Sequence, residues 1–340
     1  MNDAMILTGL VIAAALAFDF VNGFHDAANS IATIVATRVL KPFHAVLWAS
    51  FFNFVAVFFF GTGVAHTVGN GMIDLSMVTP VVILAGLVGA VLWGLVTWWL
   101  RMPTSSSHAL MGGYAGAAIF NSAVKHGLSS AYASIIVSGW TPILLFIIIA
   151  PMLGMAISHV LMKITLAAQN KVPPEKADKI FGRMQLVSSA CLSLMHGSND
   201  AQKTAGIIAG ALVASGYFQH FTIPPWVLFM SYGMMGLGTM AGGWRIVRTM
   251  GHDLTRLRPN GGFCAETASA SAILIATCLH LPVSTTHVTT GAILGAGAAR
   301  NVKSVRWNLA GNIMWAWVFT IPGAAALGGI VMGIAVLCGG

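Results

Sequence analysis

Two stretches put carboxylates where a hydrocarbon environment should exclude them. "NGFHDAANS" (22–30) holds Asp26 with Asn22, His25 and Asn29 inside an apolar segment, and "HGSNDAQKT" (196–204) holds Asp200 with Asn199, Gln202 and Lys203 inside another. A charged side chain at the centre of a bilayer costs about 2.5–3.5 kcal/mol on insertion scales, so such residues face a cation, a proton or a polar cavity. Carboxylates with amide neighbours offer the oxygen ligands of a Na+ site, and equally the acceptor of a proton site. Gly23 and Gly197 beside them are expected to let the helix unwind and present backbone carbonyls. Lys203 lies three residues after Asp200, a spacing that pairs the two on a helix. An ammonium there would replace a bound metal cation or face an anion.

A second pair of motifs carries hydroxyls. "PTSSSH" (103–108) and "PVSTTH" (282–287) each place a run of Ser and Thr within two residues of a proline. Proline favours the first turn of a helix. A helix that starts there offers free backbone N–H groups, the positive end of its dipole and several hydroxyl donors, a combination that binds tetrahedral oxyanions. Such a run is also the ordinary way to cap a helix. Two copies, both inside membrane segments, favour the binding role. The Ser–His adjacency suggests a nucleophile and its base, but sequence neighbours on a helix do not face each other. There is also no GxSxG elbow, so an enzyme is not expected. Glu266, in "GFCAETASA" (262–270), is a third buried acid, with Leu87 at the matching place in the first half. It is a candidate proton carrier or cation ligand. His25 and His196 read as hydrogen-bond partners, since no HxxxH or HExxH spacing supports zinc.

The motifs repeat in order. Asp26 lies over Asp200 at an offset of 174, and His108 lies over His287 at an offset of 179. The chain therefore divides into two related halves: 1–162, a basic linker 163–183 around "VPPEKADK", and 184–340. The elements that position these residues must be membrane helices. Of 340 residues 57% are hydrophobic and only 8% charged, with a mean hydropathy of +0.82, against about 25% charged in a soluble domain. No stretch alternates every second residue, which argues against a membrane β-barrel.

The net charge of +8 comes from Lys and Arg in short connections, which set topology and do not mark nucleic-acid binding. Placing the four basic groups in the cytoplasm orders ten segments: 5–38, 43–65, 81–100, 103–123 and 133–162, then 184–215, 226–244, 261–280, 282–299 and 308–338. Both termini fall outside, and only Lys125 lies on the wrong side. Five segments per half give inverted repeats, the pattern of a secondary transporter with a midplane site. Segments 5–38 and 103–123 are expected to be broken or re-entrant. Cys191, Cys264, Cys278 and Cys338 show no CxxC spacing and are expected to be small buried hydrophobes.

"NGFHDAANSIATIVATR" and "HGSNDAQKTAGII", with "PTSSSH" and "PVSTTH", resemble the paired signatures of the inorganic phosphate transporter (PiT) family. The resemblance covers nearly the whole chain. It implies an all-α symporter for inorganic phosphate, built from inverted repeats, commonly a homodimer in the lipid bilayer and driven by Na+ or H+. Asp26, Asn29, Asn199 and Asp200 would then be cation and substrate-site residues, with Lys203 and Glu266 also serving the coupling. Asn22, His25 and Gln202 would support them. Ser105, Ser106, Ser107, Ser284, Thr285 and Thr286 would hold the phosphate.

Sodium-coupled members carry Asn-Asp in both motifs, with Asn three residues after each Asp. Here His25 precedes Asp26, and Gln202-Lys203 follows Asp200. That pattern resembles the low-affinity bacterial permeases, which are associated with protons and in some cases with a metal–phosphate complex. The short central loop fits a bacterial or archaeal inner membrane. The expectation is therefore a phosphate importer coupled to H+, with Na+ as the alternative and no resident cofactor. Asp26 and Asp200 would be metal ligands only if the coupling ion were Na+. A sulfate permease on the same scaffold and a passive anion channel are the competing readings.

Overall fold

The structure, a computed structural model, describes residues 3–339, which form twelve α-helices with one isolated bridge between Ile73 and Ile135. They are α1 (Asp3–Ala36), α2 (Pro42–Val55), α3 (Gly63–Asn70), α4 (Pro80–Trp99), α5 (Ser106–His126), α6 (Val137–Ala168), α7 (Pro174–Ala214), α8 (Pro225–Ala241), α9 (Trp244–Arg248), α10 (Pro259–Cys278), α11 (Thr285–Arg300) and α12 (Trp307–Leu337). Proline in the first turn starts α2, α4, α7, α8 and α10, where its missing N–H costs nothing and its fixed φ is already helical. The basic segment 163–183 is shared between the end of α6, the connection 169–173 and the start of α7.

The helices pair in a two-fold pattern. α5 packs on α12 as α11 packs on α6, and α1 packs on α8 as α7 packs on α2. Close glycine approaches follow the same rule. Gly112 and Gly116 lie against Ile321 and Ala325, while Gly291 and Gly295 lie against Pro151 and Met155. The turns after α4 and α10 also match. Arg101 (φ 60°) and His280 (φ 59°) both adopt the left-handed conformation, 179 residues apart, the offset of the hydroxyl motifs. Each turn closes a helical hairpin, α4–α5 or α10–α11, whose tip carries one hydroxyl run to the centre of the protein. Two apolar cores flank that centre. One includes Val11, Phe18, Leu110 and Ile208, and the other includes Ile31, Ile34, Ile246 and Ile293.

Three expectations are corrected. Segment 5–38 is not broken: α1 runs without interruption for 34 residues, or ~51 Å at 1.5 Å per residue, so it must tilt or project beyond a ~30 Å hydrocarbon layer. Gly23 and Gly197 do not unwind their helices. A Cβ at Gly23 would collide with the Met235 carbonyl oxygen of α8, and one at Gly197 with the Asn53 carbonyl oxygen of α2, so both glycines serve close backbone packing. The break falls instead in the second segment of each half. α2, with its short 3₁₀ extension to Phe58, meets α3 at 86°, and α8 stops at Gly242 (φ 67°) before α9 and a π-helical turn at Thr249–Asp253. Segment 103–123 becomes an extended stretch followed by the continuous helix α5.

Among the described residues, five helices are long and apolar enough to cross a membrane, or up to six if the bent α2–α3 pair forms one span. The ten expected segments thus exceed what apolarity alone supports. α7 is the clearest case, because its polar residues are buried against protein and lower its hydropathy. Of the cysteines, only Cys264 is buried, since Cys191 and Cys278 lie on exposed helix positions and Cys338 is exposed just past the end of α12.

Gly23→Val and Gly197→Val are expected to destabilise the fold by about 1–3 kcal/mol or more through overpacking. Gly9→Ala, where a Cβ meets nothing within 4 Å, should leave it unchanged. Thermal unfolding of purified protein in detergent reads the difference.

Candidate functional site

The tips of the two hairpins meet α1 and α7 in one buried layer. Asp26 of α1 is held by His25 Nδ1 (2.8 Å) and accepts from the Ser106 hydroxyl (2.5 Å) and more loosely from Thr286 (3.4 Å). Ser106 also reaches Asn22 Oδ1 (2.6 Å). Asp200 of α7 faces the Lys203 ammonium (2.5 Å), accepts from the Thr285 hydroxyl (3.0 Å) and lies 3.2 Å from His196 Nε2. Lys203 donates further to Ser107 Oγ (2.5 Å) and the Val283 carbonyl (2.7 Å). Both carboxylates are essentially inaccessible, 2% exposed for Asp26 and 0% for Asp200.

These contacts obey the two-fold relation. Ser106 on Asp26 corresponds to Thr285 on Asp200. Asn29 Nδ2 donating to Thr286 (3.0 Å) corresponds to Lys203 donating to Ser107. His25 against Thr97 (3.2 Å) and Asn199 donating to Thr277 (3.0 Å) each tie an acid-bearing helix to the hairpin of its own half, although Thr97 aligns with Ala276 and not with Thr277. Each acid-bearing helix thus grips the hydroxyl run of its own half through its Asp and that of the other half through the residue three positions later. The symmetry fails most plainly in charge, because Asn29 is neutral and Lys203 is cationic; it fails also at the histidines, since His25 aligns with Asn199 and His196 with Asn22.

The hydroxyl runs divide their labour. Ser105 Oγ accepts from the His108 amide (3.1 Å) and Ser284 Oγ from the His287 amide (3.2 Å), so these two cap α5 and α11. Capping leaves the first-turn amides of Ser106, Ser107, Thr285 and Thr286 without a backbone acceptor, as at any helix start. Four N–H groups, four hydroxyls and two dipole ends therefore converge on one place. The carboxylates of Asp26 and Asp200 sit beside these positive ends, which stabilise them.

The other expected residues fall outside this cluster. Asn199 directs its amide nitrogen to Thr277 and the Leu281 carbonyl (3.1 Å), bracing the α10–α11 hairpin. Gln202 turns away, and its Oε1 accepts from the Val64 and Ala65 amides at the start of α3. Glu266 forms a separate group. It accepts from Thr33 (2.6 Å), Gln185 (2.8 Å) and Ser188 (2.6 Å), with no cationic side chain among its hydrogen-bond partners.

Three features escaped the sequence reading. Asp26, His196 and Asp200 each offer one ligand atom within 4.8 Å of the others, a spacing that suits a metal ion. His196 was legible only as a neighbour of the motif, because its counterpart in the first half is Asn22. His108 and His287, the last residues of the two hydroxyl motifs, lie edge to face at 4.8 Å where the hairpins meet. Trp317 stacks on His287 at 4.0 Å and donates to the Pro103 carbonyl (3.1 Å), fixing the α5 hairpin tip.

Residues 22–328 match the model of the Phosphate transporter family. The chain is 50% identical to a probable low-affinity inorganic phosphate transporter of Rhizobium meliloti, covering 95% of this chain and 94% of that one. It is 42% identical to a Bacillus subtilis protein of the same description, with 97% of each chain covered. A solved structure titled "The sodium-dependent phosphate transporter" superposes with a TM-score of 0.83 at 23% identity over 98% of this chain and 99% of that chain. It supports the fold.

Removing Lys203 should leave Asp200 as an uncompensated buried charge. Lys203→Met is expected to cost about 3–5 kcal/mol, and the double change with Asp200→Asn to recover much of it. Thermal unfolding of the three variants in detergent tests the coupling.

Proposed function

The chain belongs to the phosphate transporter family, and from that premise we propose that it imports inorganic phosphate across the cytoplasmic membrane by symport with a cation, H+ in preference to Na+. The observation that carries this reading is the asymmetric pair of carboxylates at the two helix N-termini, one with a built-in ammonium and one without.

The chemistry follows from competition for donors. Ser106, Thr285 and Thr286 now bond to Asp26 and Asp200. A phosphate held by the amides and hydroxyls at residues 106, 107, 285 and 286 would take those donors and add negative charge between two carboxylates. Two like charges in so little water repel strongly, so the anion needs a compensating cation. Lys203 supplies one for Asp200. The charge at Asp26 has no ammonium of its own in contact, with His25 bonded to it and His196 close by, and a proton taken up there completes the balance. Binding of the anion therefore favours binding of the cation, and the cation favours the anion by the same factor. Asn29 orients Thr286 from the uncharged side, and Glu266, about two helical turns further along α1 beside Thr33, serves as an acceptor on the inner side.

Asp26 and Asp200 also favour phosphate over sulfate. Near neutral pH phosphate can donate a hydrogen bond to a carboxylate, whereas sulfate cannot. With Na+ as the coupling ion, Asp26, Asn29 and Asp200 would be its ligands. Lys203, which already occupies Asp200, argues against that choice. A divalent cation carried with the phosphate as cargo would meet Asp26, His196 and Asp200. The burial of the whole layer favours alternating access over an open anion channel, with one group of helices moving against the other. The basic connections support a topology with both termini outside, and the family resemblance supports a homodimer in the inner membrane.

Uptake of labelled phosphate into proteoliposomes, under imposed H+ or Na+ gradients and with or without sulfate, tests the reading. The wild type should accumulate phosphate under the H+ gradient, with sulfate failing to compete. Asp26→Asn and Asp200→Asn should each abolish accumulation. Lys203→Asn should make uptake respond to Na+. Sulfate competing equally, or Asp26→Asn and Asp200→Asn accumulating normally, would contradict the assignment.

A further inference from the structure

One buried acid takes no part in the site described. Asp19 lies on α1 seven residues before Asp26, so the two share a helix face about 10 Å apart along the axis. It is fully buried, and neither carboxylate oxygen has a hydrogen-bond partner. Two hydroxyls stand beside it, Thr204 of α7 and Ser231 of α8, and both are also buried without partners. Three polar side chains from three helices thus converge, and among the described residues none of them bonds to a group outside the trio. An ionised carboxylate so placed would be an isolated buried charge, which proteins do not tolerate without a partner.

Its surroundings define what could relieve it. α4, which packs on α1, carries no titratable residue. From α7 the titratable groups near it are Asp200, one helical turn before Thr204, and Lys203, whose ammonium is committed to Asp200, Ser107 and Val283. From α8 there is Tyr232, next to Ser231. None is a free cation. A proton on the carboxyl removes the charge and supplies a donor to a hydroxyl, and it needs no cavity.

The position also has direction. Seven residues beyond Asp26 on the same face, Thr33 holds Glu266. α1 therefore carries an ordered line: Asp19, then Asp26 with the hydroxyl runs, then Glu266. Asn22 stands between the first two, three residues from Asp19 and bonded to the Ser106 hydroxyl that also holds Asp26.

We propose that Asp19, with Thr204 and Ser231, is a proton-binding site on the N-terminal side of the substrate site, which takes up the coupled proton before it reaches Asp26. The proton adds to a carboxylate oxygen of Asp19 from water on that side and later leaves, as the same proton, for Asp26. This inference rests on the proton-symport reading of the central site.

Proteoliposomes loaded with wild type, Asp19→Asn or Asp19→Glu test it through two readouts, pH-gradient-driven accumulation of labelled inorganic phosphate and phosphate–phosphate exchange without a gradient. Asp19→Asn should lose accumulation at least tenfold while exchange stays within about twofold, and Asp19→Glu should restore accumulation with a displaced pH profile. Asp19→Asn accumulating like the wild type would overturn this inference alone. Loss of both readouts without rescue by Asp19→Glu would assign Asp19 a structural role and overturn it too. Wild-type uptake indifferent to the pH gradient would overturn the symport reading and this one together. Accumulation driven by Na+ alone and lost in Asp19→Asn would give the site to a metal cation in place of the proton.

Discussion

An ionised carboxylate inside a bilayer persists only when positive charge or hydrogen-bond donors face it, and this chain brings two within a few ångströms of each other. Asp26 and Asp200 offer ligand atoms to one another's neighbourhood within 4.8 Å, and each is almost inaccessible to water. The surrounding fold answers that demand. Two hairpins aim helix N-termini at the acids, the hydroxyls of Ser106 and Thr285 satisfy one oxygen of each, and Lys203 neutralises Asp200. The same donors suit a tetrahedral oxyanion, so the elements that make the acids tolerable are also the ones a substrate would claim.

The geometry is close to two-fold, and the charge is not. Gly23 and Gly197 allow the acid-bearing helices to approach their partners at equivalent places, which fixes the acids at matching depths. The difference in fixed charge beside the two acids sits at one position. Asn29 and Lys203 reach the same kind of hydroxyl across the interface, at 3.0 and 2.5 Å, but only one brings charge. A symmetric site would leave two acids to be compensated by mobile cations, whereas this one leaves one. In the proposed symport, the choice and number of coupling ions would follow from that difference.

Much of this was legible in the sequence because repeats leave a signal that single motifs do not. The paired Asp and Ser/Thr motifs picked out the residues that the structure gathers into one buried layer, and the three-residue spacing of Asp200 and Lys203 announced their ion pair. Glycine was misread, since its freedom to unwind a helix and its lack of a side chain look identical in sequence. Only the neighbouring helix tells which is in use. The break between α2 and α3 escaped notice because the segment is apolar throughout, and hydropathy does not register an 86° bend. Asn199 was expected in the site from the family resemblance and Gln202 as its support, yet the helix turns their side chains toward α10–α11 and α3. Ser105 and Ser284 carried two plausible roles, and capping is the one their geometry performs.

The central claim is that the buried charge balance obliges a cation to enter with the anion, and that Lys203 leaves a proton as that cation. It is tested most directly by calorimetric titration of the purified protein with inorganic phosphate, in buffers of different ionisation enthalpy and with or without Na+. The account predicts net proton uptake from the buffer on phosphate binding, with affinity unaffected by Na+. Binding with no proton uptake and an affinity that rises with Na+ would contradict it.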